Sequence, residues 1–199
     1  MKHDLFPTPL WHIEGAPEKL LNELYERGKL IKEKNLGQVT EDHTPSNQGG
    51  YQTAQFNWQD FHPVGREYIE NVVNNIFSSK NQDQYSAHIT GNRYATCNST
   101  LTVNITSWWY NINPQGAWNV PHNHAGTDYA LVFFVTDSDG LLRFLTPYNT
   151  RRNEPDHCSI NAKKGDILIF PADIVHYVMP NQREEDRISI SMNLYVDNR

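Results

Sequence analysis

Apolar residues recur along this chain with two different periods. Between Glu18 and Lys34, Leu20, Leu21, Leu24, Leu30 and Ile31 fall near helical spacing behind Pro17, and Asn35-Leu36-Gly37 ends the run, predicting one amphipathic helix. Residues 36–60 are rich in Gly, Asn, Gln, Thr and Ser, including SNQGGYQT, and predict a loop. A second helix is expected over Pro63–Ser79, because Val64, Tyr68, Ile69, Val72, Val73, Ile76 and Phe77 recur every three to four positions. From Tyr85 the period shortens, and β-branched and aromatic runs alternate with turn signals at Asn113–Gly116, Asp137–Gly140 and Pro180-Asn181. The expected strands are Ser99–Ile112, Tyr129–Thr136, Leu141–Thr146, Asp166–Phe170, Val175–Met179 and Arg187–Val196. The predicted fold is mainly β with supporting α-helices: a barrel or sandwich with both helices packed on one sheet. No repeat or linker divides it, so a single domain is expected over residues 1–199, with helical support and loops in 1–83 and the β core in 84–199.

Composition changes this picture little. Apolar residues are 38% of the chain, but 5 Trp, 10 Tyr and 8 Phe supply enough bulk for one core. A net charge of −6 without a basic run argues against nucleic acid and anionic lipid as partners. Neither a signal-peptide pattern nor an apolar run of membrane-spanning length occurs, so a soluble, cytoplasmic protein with no membrane partner is expected. Cys97 and Cys158 are unpaired in pattern and read as structural thiols. The oligomeric state stays open, a homodimer being one option.

Candidate chemistry lies in the β half. In Pro121-His122-Asn123-His124, an extended backbone would project both histidines from one face, where they can share a metal ion. His176 follows several strands later in KKGDILIFPADIVHYVMPN, far enough on to return to the same opening. Three imidazoles from two segments would leave coordination positions open, as a catalytic metal requires; binding should weaken as pH falls from ~6.5 towards 5. The last strand, RISISMNLYV, alternates Arg187, Ser189, Ser191 and Asn193 with Ile188, Ile190, Met192 and Leu194, and its polar stripe suits a polar cavity. His176 and Arg187 flank the turn MPNQREED and could oppose each other across a hairpin. A metal beside a fixed guanidinium suits a small dicarboxylate, chelated at one end and gripped at the other.

These residues carry a resemblance. WYNIN, PHNHAGTDYALVFFV, KKGDILIFPADIVHYVMPN and RISISMN resemble the iron(II) and 2-oxoglutarate-dependent oxygenases, specifically a small group of marine bacteria and their phages. The resemblance implies a double-stranded β-helix, a jelly roll of cupin-like form. It implies Fe(II) on His122, His124 and His176, and 2-oxoglutarate held by Arg187 with Ser189. It further implies a 2-oxoglutarate-dependent dioxygenase that hydroxylates a small molecule or protein side chain, with succinate and CO₂ as co-products. Two departures stand out. His124 occupies the place of the usual carboxylate, for which Asp128 is an alternative source, and Phe134 stands where many relatives carry a tyrosine that bonds 2-oxoglutarate. Asn111 or Asn113 is the candidate to compensate. Trp109, Trp118 and Tyr129 are candidates for the cavity mouth. The alternative is a cupin-like metal-binding protein, on the likeness of GAWNVPHNHAGTD and GDILIFPADIVH to the cupin motifs, or a non-catalytic binding protein on the same fold.

Overall fold

The computed structural model describes residues 8–38, 46–77, 102–139, 142–146 and 157–197. The alternating runs become the two longest strands: β5 (Thr102–Asn113) and β12 (Arg187–Asp197) pair antiparallel from Arg187↔Asn113 to Asp197↔Thr102. β12 also pairs with β7 (Tyr129–Phe134), β7 with β10 (Ile167–Pro171), and β10 with β1 (Trp11–Ile13). On the far flank β3 (Tyr51–Gln52) and β4 (Phe56–Asn57) both dock on β5, completing a seven-stranded sheet. The second sheet runs in the order β2 (Asn47–Gln48), β6 (Trp118–His122), β11 (His176–Val178), β8 (Leu142–Leu145), β9 (His157–Ile160). Every pairing is antiparallel, and the two sheets face each other as a jelly roll, the expected double-stranded β-helix.

Alternation on the long strands sends one set of side chains to each face of the large sheet. Ile188, Ile190, Met192 and Leu194 join Trp108, Tyr110 and Ile112 under the helices α1 (Glu18–Glu33) and α2 (Pro63–Phe77). α1 buries Leu20, Leu21, Leu24 and Ile31 there, each worth about 1.5–3 kcal/mol when fully covered. Gly28 lets this helix come close, since a Cβ at that position would stand 3.2 Å from the Tyr110 ring. The other face of the sheet looks inward. There Val132 and Phe134 meet Phe144 and Phe170 in a second apolar cluster, while Arg187, Ser189 and Ser191 sit beside it around a polar cavity.

Several expectations need correction. Residues 46–60 are not plain loop: they contain β2, β3, β4 and a 3-10 turn at Trp58–Asp60. Two-residue strands carry no readable period, and it is the edges of β5 and β6 that recruit them. Leu30 is 44% exposed and stands off the buried stripe of α1. β1, β6 and β9 were not foreseen as strands. Cys158 is an exposed thiol on β9, not a core one. The segment after His176 is not a hairpin, because β11 lies in the small sheet and β12 in the large one, so the chain crosses between sheets there. Asn181 fixes that crossing by donating to Asn113 O at 2.9 Å and Glu185 O at 2.8 Å. Ser78 and Ser79, Cys97, Ser99 to Leu101, Gly140 and Leu141 fall outside the described residues. Among the described residues no helix is long and apolar enough to cross a membrane.

Candidate active site

The three histidines converge on the inner face of the small sheet. His122 and His176 are direct register partners across β6 and β11, and the register shifts between this pair and Val178↔Asn119. That irregularity lets His122 and Asn119, an odd number of residues apart, line the same cavity. His124 follows β6 and is held by its backbone N–H donating to Ala172 O at 2.8 Å and by the Trp109 ring 5.4 Å away, centroid to centroid. The imidazoles lie 4.3 to 5.6 Å apart by centroid, and one ligand atom from each lies within 4.8 Å of the others.

The tautomer of each ring follows from its neighbour. His122 Nδ1 lies 2.7 Å from Val120 O, His176 Nδ1 3.1 Å from Ile174 O, and His124 Nδ1 3.0 Å from Asn193 Oδ1. Oxygen acceptors of this kind require Nδ1–H to donate, which leaves each Nε2 with a lone pair for a metal. Asn193 is itself fixed, its Nδ2 donating to Ser107 Oγ at 3.1 Å. Burial drives all three below the ordinary histidine value, His124 to about 4 and His176 to about 3, neighbouring imidazoles adding to the effect at those two. The expected proton competition, from ~6.5 towards 5, therefore moves to lower pH in the folded protein.

These lowered values predict how the metal-free protein answers acid. Above about pH 6.5 the rings are neutral whether the chain is folded or not, and they contribute nothing to pH dependence. Below that value the unfolded chain takes up protons that the folded one refuses until about pH 4 at His124 and about pH 3 at His176, so stability falls through the window. The loss should reach up to about 3 kcal/mol at each of His124 and His176 at pH 4. Urea titrations of chelator-treated protein at pH 7, 5.5 and 4 will measure it. The slope should flatten in a His124→Gln, His176→Gln double variant, and an unchanged slope there would refute the assignment.

Across the cavity stands Arg187, which is 7% exposed. Its Nη1 donates to Met179 O at 3.0 Å, whereas among the described residues Nη2 is buried with no partner and no carboxylate lies within ion-pair distance. Burial lowers this guanidinium to about 10. Arg187 and His176 thus face each other across the gap between sheets instead of pairing along one. Ser189, Ser191, Asn111, Asn119 and Phe134 also line the cavity, which is partly open to solvent. Asn113 does not line it: its amide is taken up by Asn47 and Asn119. Asp128 is exposed and accepts from Val196 N at 2.8 Å, so it brings no carboxylate to the histidines. Of the aromatic candidates only Trp109 meets the site. Trp118 is 37% exposed, and Tyr129 packs on Trp11 and Phe77 on the helix side of the sheet.

The sequence by itself assigns no role at this site to Asn119 or Asn193. Asn193 lay on the recognised polar stripe, a usable signal; nothing in the local pattern marks Asn119 as facing inward.

Residues 107–193 match the family model described as "Putative 2OG-Fe(II) oxygenase". No curated protein matches the sequence. Among solved structures, the chain is similar to a Pseudomonas putida prolyl-4-hydroxylase at 13% identity and TM-score 0.58, over 96% of this chain and 94% of that one. It is also similar to SnoK, a non-heme alpha-ketoglutarate-dependent carbocyclase from nogalamycin biosynthesis, at 12% identity and TM-score 0.64, over 96% and 80%. A third is HygX from Streptomyces hygroscopicus with nickel, 2-oxoglutarate and hygromycin B bound, at 10% identity and TM-score 0.58, over 94% and 83%. The matched stretch, less than half of the chain, contains both sides of the cavity, and these solved structures share the chain's fold.

Proposed function

We propose that His122, His124 and His176 hold the iron through Nε2, and that Arg187, with Ser189 and Asn111 beside it, holds the far carboxylate of 2-oxoglutarate so that its oxoacid end faces the metal. The observation that carries this reading is the pairing of three convergent neutral imidazoles, two of which line the cavity, with a buried guanidinium nitrogen on the same cavity that lacks a partner among the described residues. A buried cation with an unpartnered N–H is costly unless an anion arrives, and a dicarboxylate is such an anion. Iron(II) and 2-oxoglutarate supply O₂ activation and oxidative decarboxylation to succinate and CO₂. This chain's residues supply the rest. The Nδ1 partners fix each ring, Phe134 and Val132 exclude water from one wall, and the Trp109 ring braces His124.

The outcome of the reaction is hydroxylation of a C–H bond in a small molecule or a protein side chain. The similar structures include a prolyl hydroxylase and a protein with hygromycin B bound, and the cavity carries no basic groove for nucleic acid. Within the superfamily the narrower kinship is with the marine bacterial and phage group, and the working protein is a single cytoplasmic domain. The test is succinate release from 2-oxoglutarate under O₂ with Fe(II) and ascorbate, across pools of small molecules and peptides. Release should exceed that of a His176→Ala control; release no greater than the control, with iron and 2-oxoglutarate both demonstrably bound, would overturn the proposal.

A further inference from the structure

Four buried asparagines, two lining the cavity and two behind them, bond through their amides in one direction. Asn47 Nδ2 donates to Asn113 Oδ1 at 2.9 Å, and Asn113 Nδ2 to Asn119 Oδ1 at 3.0 Å. Asn119 Nδ2 donates to Asn111 Oδ1 at 3.4 Å and to Ser46 Oγ at 3.2 Å, and Asn111 Nδ2 to Ser191 Oγ at 3.1 Å. The series runs from β2 through β5 and β6 to β12. Apolar side chains would fill this space without any polar group to satisfy, so a run of amides needs another reason. In a head-to-tail chain each bond polarises the next. Its last oxygen belongs to Ser191, which already accepts a hydrogen and therefore has its own O–H left to give. Among the described residues nothing accepts that hydrogen, and Ser191, 6% exposed, lines the cavity.

Its place along β12 says what it would meet. Asn193, which holds His124, is the next residue on the same face, whereas Arg187 is the second one away in the other direction; at ~3.4 Å per residue Ser191 lies on the metal side of the cavity. We infer that Ser191 donates a hydrogen bond to the oxoacid end of bound 2-oxoglutarate, and that the amide series beginning at Asn47 orients it to do so. Ser191 is then a binding residue, and Asn47, outside the cavity lining, a positioning residue. This inference rests on the function proposed above.

The test titrates the oxygen-free, Fe(II)-loaded protein calorimetrically with 2-oxoglutarate and, separately, with pyruvate, which keeps the oxoacid but lacks the far carboxylate. Ser191→Ala should weaken both by a similar factor, about tenfold or more for a lost bond to an ionised group, with metal affinity unchanged. Arg187→Ala should weaken 2-oxoglutarate and spare pyruvate. Asn47→Ala should weaken both compounds about threefold, by freeing the amides to reorient, and it reads the same device should Ser191→Ala fold poorly. Unchanged pyruvate affinity in Ser191→Ala overturns the donor role. A loss in Ser191→Ala with none in Asn47→Ala overturns the amide relay. If the metal-loaded parent binds no 2-oxoglutarate, the proposed function itself fails and this inference with it.

Discussion

His176→Ala should abolish tight metal binding and, with it, all 2-oxoglutarate turnover. The expectation follows from counting ligands. Four-ligand zinc sites are worth about 10–16 kcal/mol, so removing one ligand costs about 3–4 kcal/mol, several hundredfold in affinity. His176 is the sharpest choice because its ring sits nearest His122, 4.3 Å away by centroid, and because it comes from the opposite strand of the pair. Its loss leaves two ligands on one side of the site. The scaffold should survive, since Phe144 and Phe170 border the ring and remain to close over it. Cobalt titration of parent and variant, with circular dichroism as a check on folding, measures the effect; three nitrogen ligands bind cobalt, nickel and zinc at least as well as iron. Retention of stoichiometric metal at parent affinity would remove His176 from the site.

The parts of the site that could be read in the sequence share a property: their chemistry is local. The two histidines at and just beyond the end of β6 announce themselves by spacing, and the polar stripe of β12 by strict alternation between Arg187 and Leu194. Both helices were legible for the same reason, each presenting one apolar face to the sheet. What stayed hidden depends on partners distant in the chain. Whether Arg187 meets His176 along a hairpin or across a sandwich is decided by Asn181, whose bonds to Asn113 and Glu185 turn the chain between sheets. The inward orientation of Asn119 comes from a register shift against β11, and a shift of one residue is invisible to a period-two pattern. The strands at Asn47–Gln48 and Tyr51–Gln52 exist because β6 and β5 offer them an edge; a polar, glycine-rich stretch gives no hint of it. The depressed histidine values likewise come from tertiary burial, which moved the acid response of the rings to lower pH without altering their identity as candidate ligands.

Arg187→Met should separate binding from stability more cleanly than any other single change. In the folded protein the guanidinium is lowered to about 10, well below its ordinary value, mainly by burial. Every tenfold change in a proton equilibrium is about 1.4 kcal/mol, so keeping the charge inside costs the ligand-free fold about 3 kcal/mol. The sign is fixed by direction: a folded value below the unfolded one penalises the charged form at every pH beneath about 10, so the cost is present in full at neutrality. Methionine has similar length without charge and leaves no orphaned Nη2, though Met179 O loses a donor. Exchanges of buried charge for apolar bulk are commonly neutral or stabilising by about 1–4 kcal/mol. The metal-loaded but 2-oxoglutarate-free variant should thus unfold at the same urea concentration as the parent or a higher one. Its affinity for 2-oxoglutarate should fall by about 2–5 kcal/mol, tens- to thousands-fold, because a buried charge-assisted pair is lost. Metal affinity should be unaffected, since Arg187 touches none of the three rings. Urea denaturation and anaerobic calorimetry on the same preparations read both quantities. A variant that binds 2-oxoglutarate like the parent would take the co-substrate away from Arg187, whereas one that loses stability along with binding would make the guanidinium a structural group whose bond to Met179 O outweighs its desolvation.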